Sequence, residues 1–241
     1  MAQNLSLFQI VREVARRHGL AIPPAIVGST NETIAQLWGL SNETVEELAG
    51  RYKWTELITP LTFTHSNGPD YGALQFSRIG DWRGLQPGTL VDSEYYPVLG
   101  PVNDVQWTNN WAPAPKYGYR ISGGWLRIRP CPSFPPDYPF HLEYYSSAPV
   151  IGTGTGSLQD YFADDADTCR LPSHLVILGL RWRYKKEKGL PYAEDKDTYE
   201  MQVADWTSNT GQQKPVIMDA DERYVETGPL ILVPSASWPL P

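Results

Sequence analysis

Residues 178 to 200, LGLRWRYKKEKGLPYAEDKDTYE, set five basic side chains (Arg181, Arg183, Lys185, Lys186 and Lys188) ahead of a run of acids. Cations at this density could grip a polyanion, or they could neutralise a partner helix. At 100° per residue Arg181, Lys185 and Lys188 fall within about 60° of one another, and Arg183 and Lys186 lie on the far side. A groove-reading helix would gather them on one stripe with base-reaching side chains between. The segment from Ser173 carries a net of +4, with Glu187 its one acid, and the segment from Tyr192 carries −4 through Glu194, Asp195, Asp197, Glu200 and Asp205 against Lys196. Two such helices in one chain, or in adjacent subunits, would cancel each other's fields. Leu175, Leu178 and Trp182 would face the apolar side. An exposed ion pair contributes about 0–1 kcal/mol, so these charges choose a partner and a register more than they stabilise. Arg181, Arg183, Lys185, Lys186, Glu194, Asp195, Asp197 and Glu200 are therefore read as helix-pairing or subunit-interface residues, with polyanion binding as the rival.

Other reactive side chains are scattered. His18, His65, His141 and His174 belong to no HExxH pattern, and neither CxxC nor GxSxG occurs. The stretch GTGTG at 152–156 lacks the Lys-Ser/Thr of a phosphate loop and reads as a flexible linker. Asp160, Asp164, Asp165 and Asp167 could gather around Ca²⁺, but their spacing lacks the glycine and terminal glutamate of a calcium loop. Asp167 or Thr168 fits better in the loop before a helix at Pro172, where the helix dipole favours an acid. Trp107, Trp111, Tyr117 and Tyr119 would serve a carbohydrate module as stacking platforms, or fill a core and a subunit interface. Asp81, Asp92 and Glu94 lie nearby, so a glycosidase stays open. The reading adopted is a non-enzyme with no metal, cofactor or catalytic set.

The 241 residues are enough to bury a real core. A net charge of −7 argues against a general grip on nucleic acid or anionic lipid. Cys131 and Cys169 make neither a disulfide framework nor a metal site; a reducing compartment fits, and one bridge between them stays open. The N-terminal stretch reads as an amphipathic helix rather than a signal peptide, which leaves the sequons at Asn4, Asn31 and Asn42 without meaning. Apolar runs such as LVILGL are too short to span a bilayer, so no membrane partner is expected.

Elements able to position these residues follow from periodicity. Leu7, Phe8, Val11, Val14 and Ala15 predict a helix over about 5–18, stopped by Gly19 and two prolines. Ile34, Trp38, Val45, Leu48 and Tyr52 predict a long helix over 31–54, interrupted at Ser41 and possible to bend at Gly39. Short aromatic and β-branched runs follow, and YGYRISGGWLRIRP predicts a hairpin turning at Gly123 and Gly124. Proline-rich connections at 86–101 and 131–139 must run over the surface or against a neighbour. Pro172 predicts a helix from Ser173 to about Lys188, and a second runs from about Tyr192 to Ser208. The final GPLILVPSASWPLP is apolar and unable to form a helix, so Ile231, Leu232, Trp238 and Leu240 are read as a docking tail. The predicted class is α+β: a helical part, made of a long N-terminal helix and a C-terminal helical hairpin, with an inserted, mostly antiparallel β domain and an extended tail. The corresponding divisions are 1–54, 55–150, 151–209 and 210–241.

The order YRISGGWLRIRP, HLEYYSSAPV, DDADTCRLPSHLVILGLRWRYKKEKGLPYAEDKDTYE, preceded by TIAQLWGLSNETVEELAGRYKWTEL, resembles the head-to-tail adaptor proteins of tailed bacteriophages, in particular the tubular adaptor of short-tailed phages. The likeness covers most of the chain between about 31 and 209. It implies a non-enzymatic virion component, assembled in the host cytoplasm, that forms a dodecameric homo-oligomeric ring. Such a ring would join the portal protein to a downstream tail or nozzle protein and let genomic DNA pass without specific binding. The proline-rich tail and the connection at 86–101 depart from that pattern.

Overall fold

The computed structural model describes residues 4–22, 24–64, 73–75, 79–103, 107, 118–129, 139–154 and 156–209. The protein is mixed α+β. Its contacts divide it into one unit of Met1–Thr59, Gly80–Gly84 and Tyr144–Val216, and a second of Pro60–Ile79, Leu85–Glu143 and Ile217–Pro241.

The first unit is built on helices α1 (Leu7–Arg17), α2 (Glu32–Arg51), α3 (Ser173–Glu187) and α4 (Ala193–Asn209). Ser6 starts α1 with a capping box: its hydroxyl accepts from Gln9 N, and the Gln9 side chain accepts from Ser6 N. Asn31 caps α2 by accepting from Thr33 N at 3.0 Å. Helix α2 runs through Gly39 without interruption. Ser41 does not break its buried face, as the periodicity had suggested. It is fully buried, and its hydroxyl donates to Leu37 O at 2.8 Å, so its one polar group is satisfied inside the helix. The buried face is Ile34, Leu37, Leu40, Ser41, Thr44, Val45, Leu48 and Ala49.

Helix α3 lies against α1, α2 and α4. Its buried residues, Ser173, Leu175, Val176, Ile177, Gly179, Leu180, Arg183 and Tyr184, cover most of its circumference, which is why it shows no single apolar stripe. Gly179 marks its closest approach to its neighbours: a methyl group there would meet Thr44 Cγ2 at 2.6 Å and Tyr199 Cε2 at 3.1 Å. One apolar cluster takes in side chains of all four helices together with Trp54, Leu57, Val150, Phe162, Cys169 and Leu171.

The described residues of 151–169, a range whose GTGTG was expected as a flexible linker, form short strands and turns. Strands Val150–Ile151, Leu158–Gln159 and Thr168–Cys169 form a three-stranded antiparallel sheet with the first at its centre. Between two of these strands Gly152 N donates to Ser157 O at 2.8 Å, and strand Leu158–Gln159, not a helix, follows.

In the second unit the expected hairpin is present, Gly118–Ser122 paired antiparallel with Trp125–Arg129, and strand Ala73–Gln75 pairs with the latter. Gly123 and Gly124 turn it with φ of +59° and +76°, values that side-chain-bearing residues adopt only with strain. Strand Val91–Asp92 pairs antiparallel with His141 and Phe140. Residues 210–241, and with them Ile231, Leu232, Trp238 and Leu240, lie outside the described residues, as do Cys131, His65, Trp111 and Tyr117.

Candidate functional site

Three of the basic segment's five charges are paired with carboxylates inside the chain. Arg181 reaches Asp195 Oδ1 at 2.8 Å, and Lys185 binds the other oxygen of the same carboxylate. Asp195 is buried, so this one acid of α4 holds two cations of α3 at low dielectric. Arg183 points the other way, toward α2: its guanidinium reaches Glu47 Oε2 at 2.7 Å, lies 3.7 Å from Glu43 and covers the Trp182 ring at 4.5 Å. Tyr199 of α4 donates to the same Glu47 oxygen at 3.0 Å. Burial first, and then the neighbouring Glu47 carboxylate, hold the Tyr199 hydroxyl far above its usual range, so it stays a donor.

Arg51 extends the chain of charges. It pairs with Glu47 at 3.2 Å and with Glu200 at 2.8 Å, and the Glu200 hydrogen bond is the main reason its pKa rises. Helix α2 and the sequence-distant pair α3 and α4 are thus tied by Glu47, Arg51, Arg183, Tyr199 and Glu200 at one junction. Lys186 and Lys196 lie 6.0 and 5.9 Å from the Trp182 ring, while Glu194 and Asp197 stand exposed on the outer side of α4. Of the eight residues read from sequence, the structure brings Arg181, Lys185 and Asp195 together, gives Arg183 and Glu200 to α2, and leaves Lys186, Glu194 and Asp197 at the surface. Sequence reasoning missed Glu47 and Arg51 as their partners; the signal was their four-residue spacing on one helix.

A second cluster occupies the acidic loop. Asp167, buried, accepts from Thr153 N, Ala163 N and Asp164 N, each at 2.8 Å. Burial raises its pKa, and those amides outweigh burial and hold it below the usual carboxylate value. Asp165 accepts from Ile26 N at 2.9 Å and Val27 N at 2.8 Å. The backbone carbonyls of Asp165 and Asp167 accept from Phe8 N and Leu7 N, two of the free amides at the start of α1. Asn42 and Trp38 of α2 bond the backbone of Phe162. Asp165 and Asp167 tie residues 26–27 and the start of α1 to this loop, and Phe162 ties α2 to it. Asp167 serves its own loop rather than the start of α3. Among the described residues no group of three or more His, Cys, Asp or Glu could hold a metal ion.

The remaining candidates are likewise structural. Asp81 accepts from Tyr144 at 3.0 Å and from Ser146; burial and this carboxylate push the Tyr144 hydroxyl up to about 12. Asp92, fully buried, accepts from Glu94 N at 2.9 Å and Tyr96 N at 2.8 Å and so fixes a tight turn. Trp107 and Tyr119, weighed as sugar platforms, are 9% and 4% exposed and belong to the interior. Cys169 is a free, fully buried thiol, pushed up to about 12 by its burial. No helix among the described residues is long and apolar enough to cross a membrane. A shallow groove of about 520 Å³ is lined by Arg51, Tyr52, Lys53, Tyr145, Ala204, Thr207 and Ser208, with the Lys53 ammonium 5.5 Å from the Tyr145 ring.

Compared with known proteins, the sequence matches no family model and no curated protein.

Proposed function

We propose that this protein is a structural virion component, a head-to-tail adaptor whose copies close into a ring between a portal and a tail or nozzle protein. Its work is geometric: a heterologous contact repeated about an axis, gripping one ring above and another below. In this reading α2 and the helical hairpin of α3 and α4 form the body, the β part is inserted between them, and Ile231, Leu232, Trp238 and Leu240 reach the portal.

One observation carries the reading over its nucleic-acid rival. The cations of α3 that would bind phosphate, Arg181, Arg183 and Lys185, are already neutralised by Asp195 and Glu47. A wall with net acid and few free cations would let DNA slide without holding it, since phosphate binding needs a surplus of basic contacts. The segment order quoted from the sequence supports the same class.

The test is to mix the purified chain with a portal ring and weigh the product by native mass spectrometry. A stoichiometric ring-on-ring complex is expected. A chain that ignores the portal but binds duplex DNA with a steep salt dependence would replace this reading with the nucleic-acid one.

A further inference from the structure

Two helices of the first unit present outer faces of opposite charge. On α1 the exposed residues Gln9, Arg12 and Arg16 recur at three- and four-residue spacing. Among the described residues Arg12 has no ion pair, and the Arg16 side chain, 73% exposed, pairs with Glu13 alone, at 4.0 Å. Glu13 is engaged more closely by Arg17, at 2.9 Å. On α2 the exposed residues Glu32, Ala35, Gly39, Glu43, Glu46 and Gly50 form one stripe at helical spacing, with the exposed Arg51 off it. Among the described residues Glu32 and Glu46 have no ion pair, and Glu43 is 65% exposed with Arg183 at 3.7 Å.

Gly39 sits near the middle of that stripe. A glycine inside a helix is less favourable than alanine by roughly 1 kcal/mol. Gly179 has an internal reason for lacking a side chain, because Thr44 and Tyr199 crowd it. Gly39 has none: its φ is ordinary, and a methyl group added there would meet nothing within 4 Å. A missing side chain with open space above it makes sense where another backbone approaches from outside the chain.

We infer that the acidic outer face of α2 docks the basic outer face of α1 from a second copy of this chain. Arg12 and Arg16, one turn apart, would meet Glu43 and Glu46, also one turn apart, with Gly39 admitting the incoming helix closely. The two faces differ, so the contact is heterologous and propagates from copy to copy, as a ring requires. The inference rests on the adaptor reading for its biological setting and names the contact between copies that the reading leaves open. Charge at such a contact fixes register and is weakened by salt.

The experiment measures assembly by sedimentation velocity and mass photometry over a range of concentrations in low salt. Reversal of one face, in R12E/R16E or in E43K/E46K, should raise the concentration needed for assembly at least about tenfold. The variant carrying all four reversals should recover it, because both faces change sign together. Gly39→Leu should melt no lower than wild type yet fail to assemble, which separates the contact from folding. Single-face variants that assemble like wild type, or a four-fold variant that stays monomeric with a wild-type melting profile, would overturn this contact and leave the adaptor reading standing. A wild-type chain that is monomeric at every concentration, with and without a portal ring, would overturn both.

Discussion

Arg183 and Glu47, 136 residues apart in the sequence, meet at 2.7 Å between α3 and α2. The arginine side chain is only 7% exposed there, and Tyr199 from α4 closes on the same carboxylate oxygen. Removing one member of such a pair strands the other in a poorly solvated place. Glu47→Ala should therefore destabilise the protein by about 2–4 kcal/mol. Tyr199→Phe, which removes one hydrogen bond and keeps the ring, should cost about 1 kcal/mol. Urea titrations of both variants check the order; equal losses would mean that packing rather than the shared carboxylate holds the junction.

The contact at Gly179 predicts a substitution that defies helix propensity. Gly179→Ala should destabilise by about 1–3 kcal/mol, because the added methyl overlaps Thr44 Cγ2. Thr44→Ala removes the obstructing methyl, so in a double-mutant cycle the pair should couple favourably by more than about 0.5 kcal/mol. Additive effects would show that the helices part to make room.

Asp167 sets an acid limit. Its folded-state pKa is lowered, so its contribution is complete above the unfolded value, about 3.9, and is lost as pH falls through the folded value. Asp167→Asn puts an amide where three backbone donors converge and should lose about 1–3 kcal/mol at neutral pH. Between pH 5 and 2 the wild type should lose stability faster than the variant, as measured by thermal melts across that range.

His18 acts in the same sense, at higher pH. Its Nε2 is buried without a hydrogen-bond partner among the described residues, and its ring lies 5.1 Å from that of Tyr184. Burial first, then Lys185 and Arg181, lower its pKa, and Asp195 only partly offsets them. A histidine kept neutral in the folded state binds a proton more readily when unfolded, so stability falls as pH drops below about 6.5. His174, beside Trp206 and also lowered by burial, adds to the same slope. His18→Phe should reduce the loss between pH 7 and 5 without abolishing it, and His18→Phe/His174→Phe should flatten it.

Much of the helical part was legible in the sequence because apolar periodicity and end signals agree. Leu7 to Ala15 give one face of α1, Pro172 and Gly189 bracket α3, and Gly123-Gly124 turns the hairpin it was read to turn. Single-chain patterns were misleading where a polar residue finds a local partner. Ser41 looked like an interruption and is buried because its hydroxyl bonds back along α2. The run 151–169 looked like a linker because its strands are two residues long, and its order comes from Asp165 and Asp167 bonding distant amides. The opposed charges of α3 and α4 were readable as such. That Arg183 and Glu200 turn to α2 was not, since only the third helix shows which side of each is inward.

Encirclement of α3 by helices from both ends of the chain fixes an order of events during translation. Residues 52–172 must leave the ribosome after α2 and before the first turn of α3. At roughly 5–20 residues per second, α1 and α2 wait on the order of 6–24 s with their apolar faces uncovered. Nascent chains should therefore recruit a holdase during that interval and release it once α3 emerges.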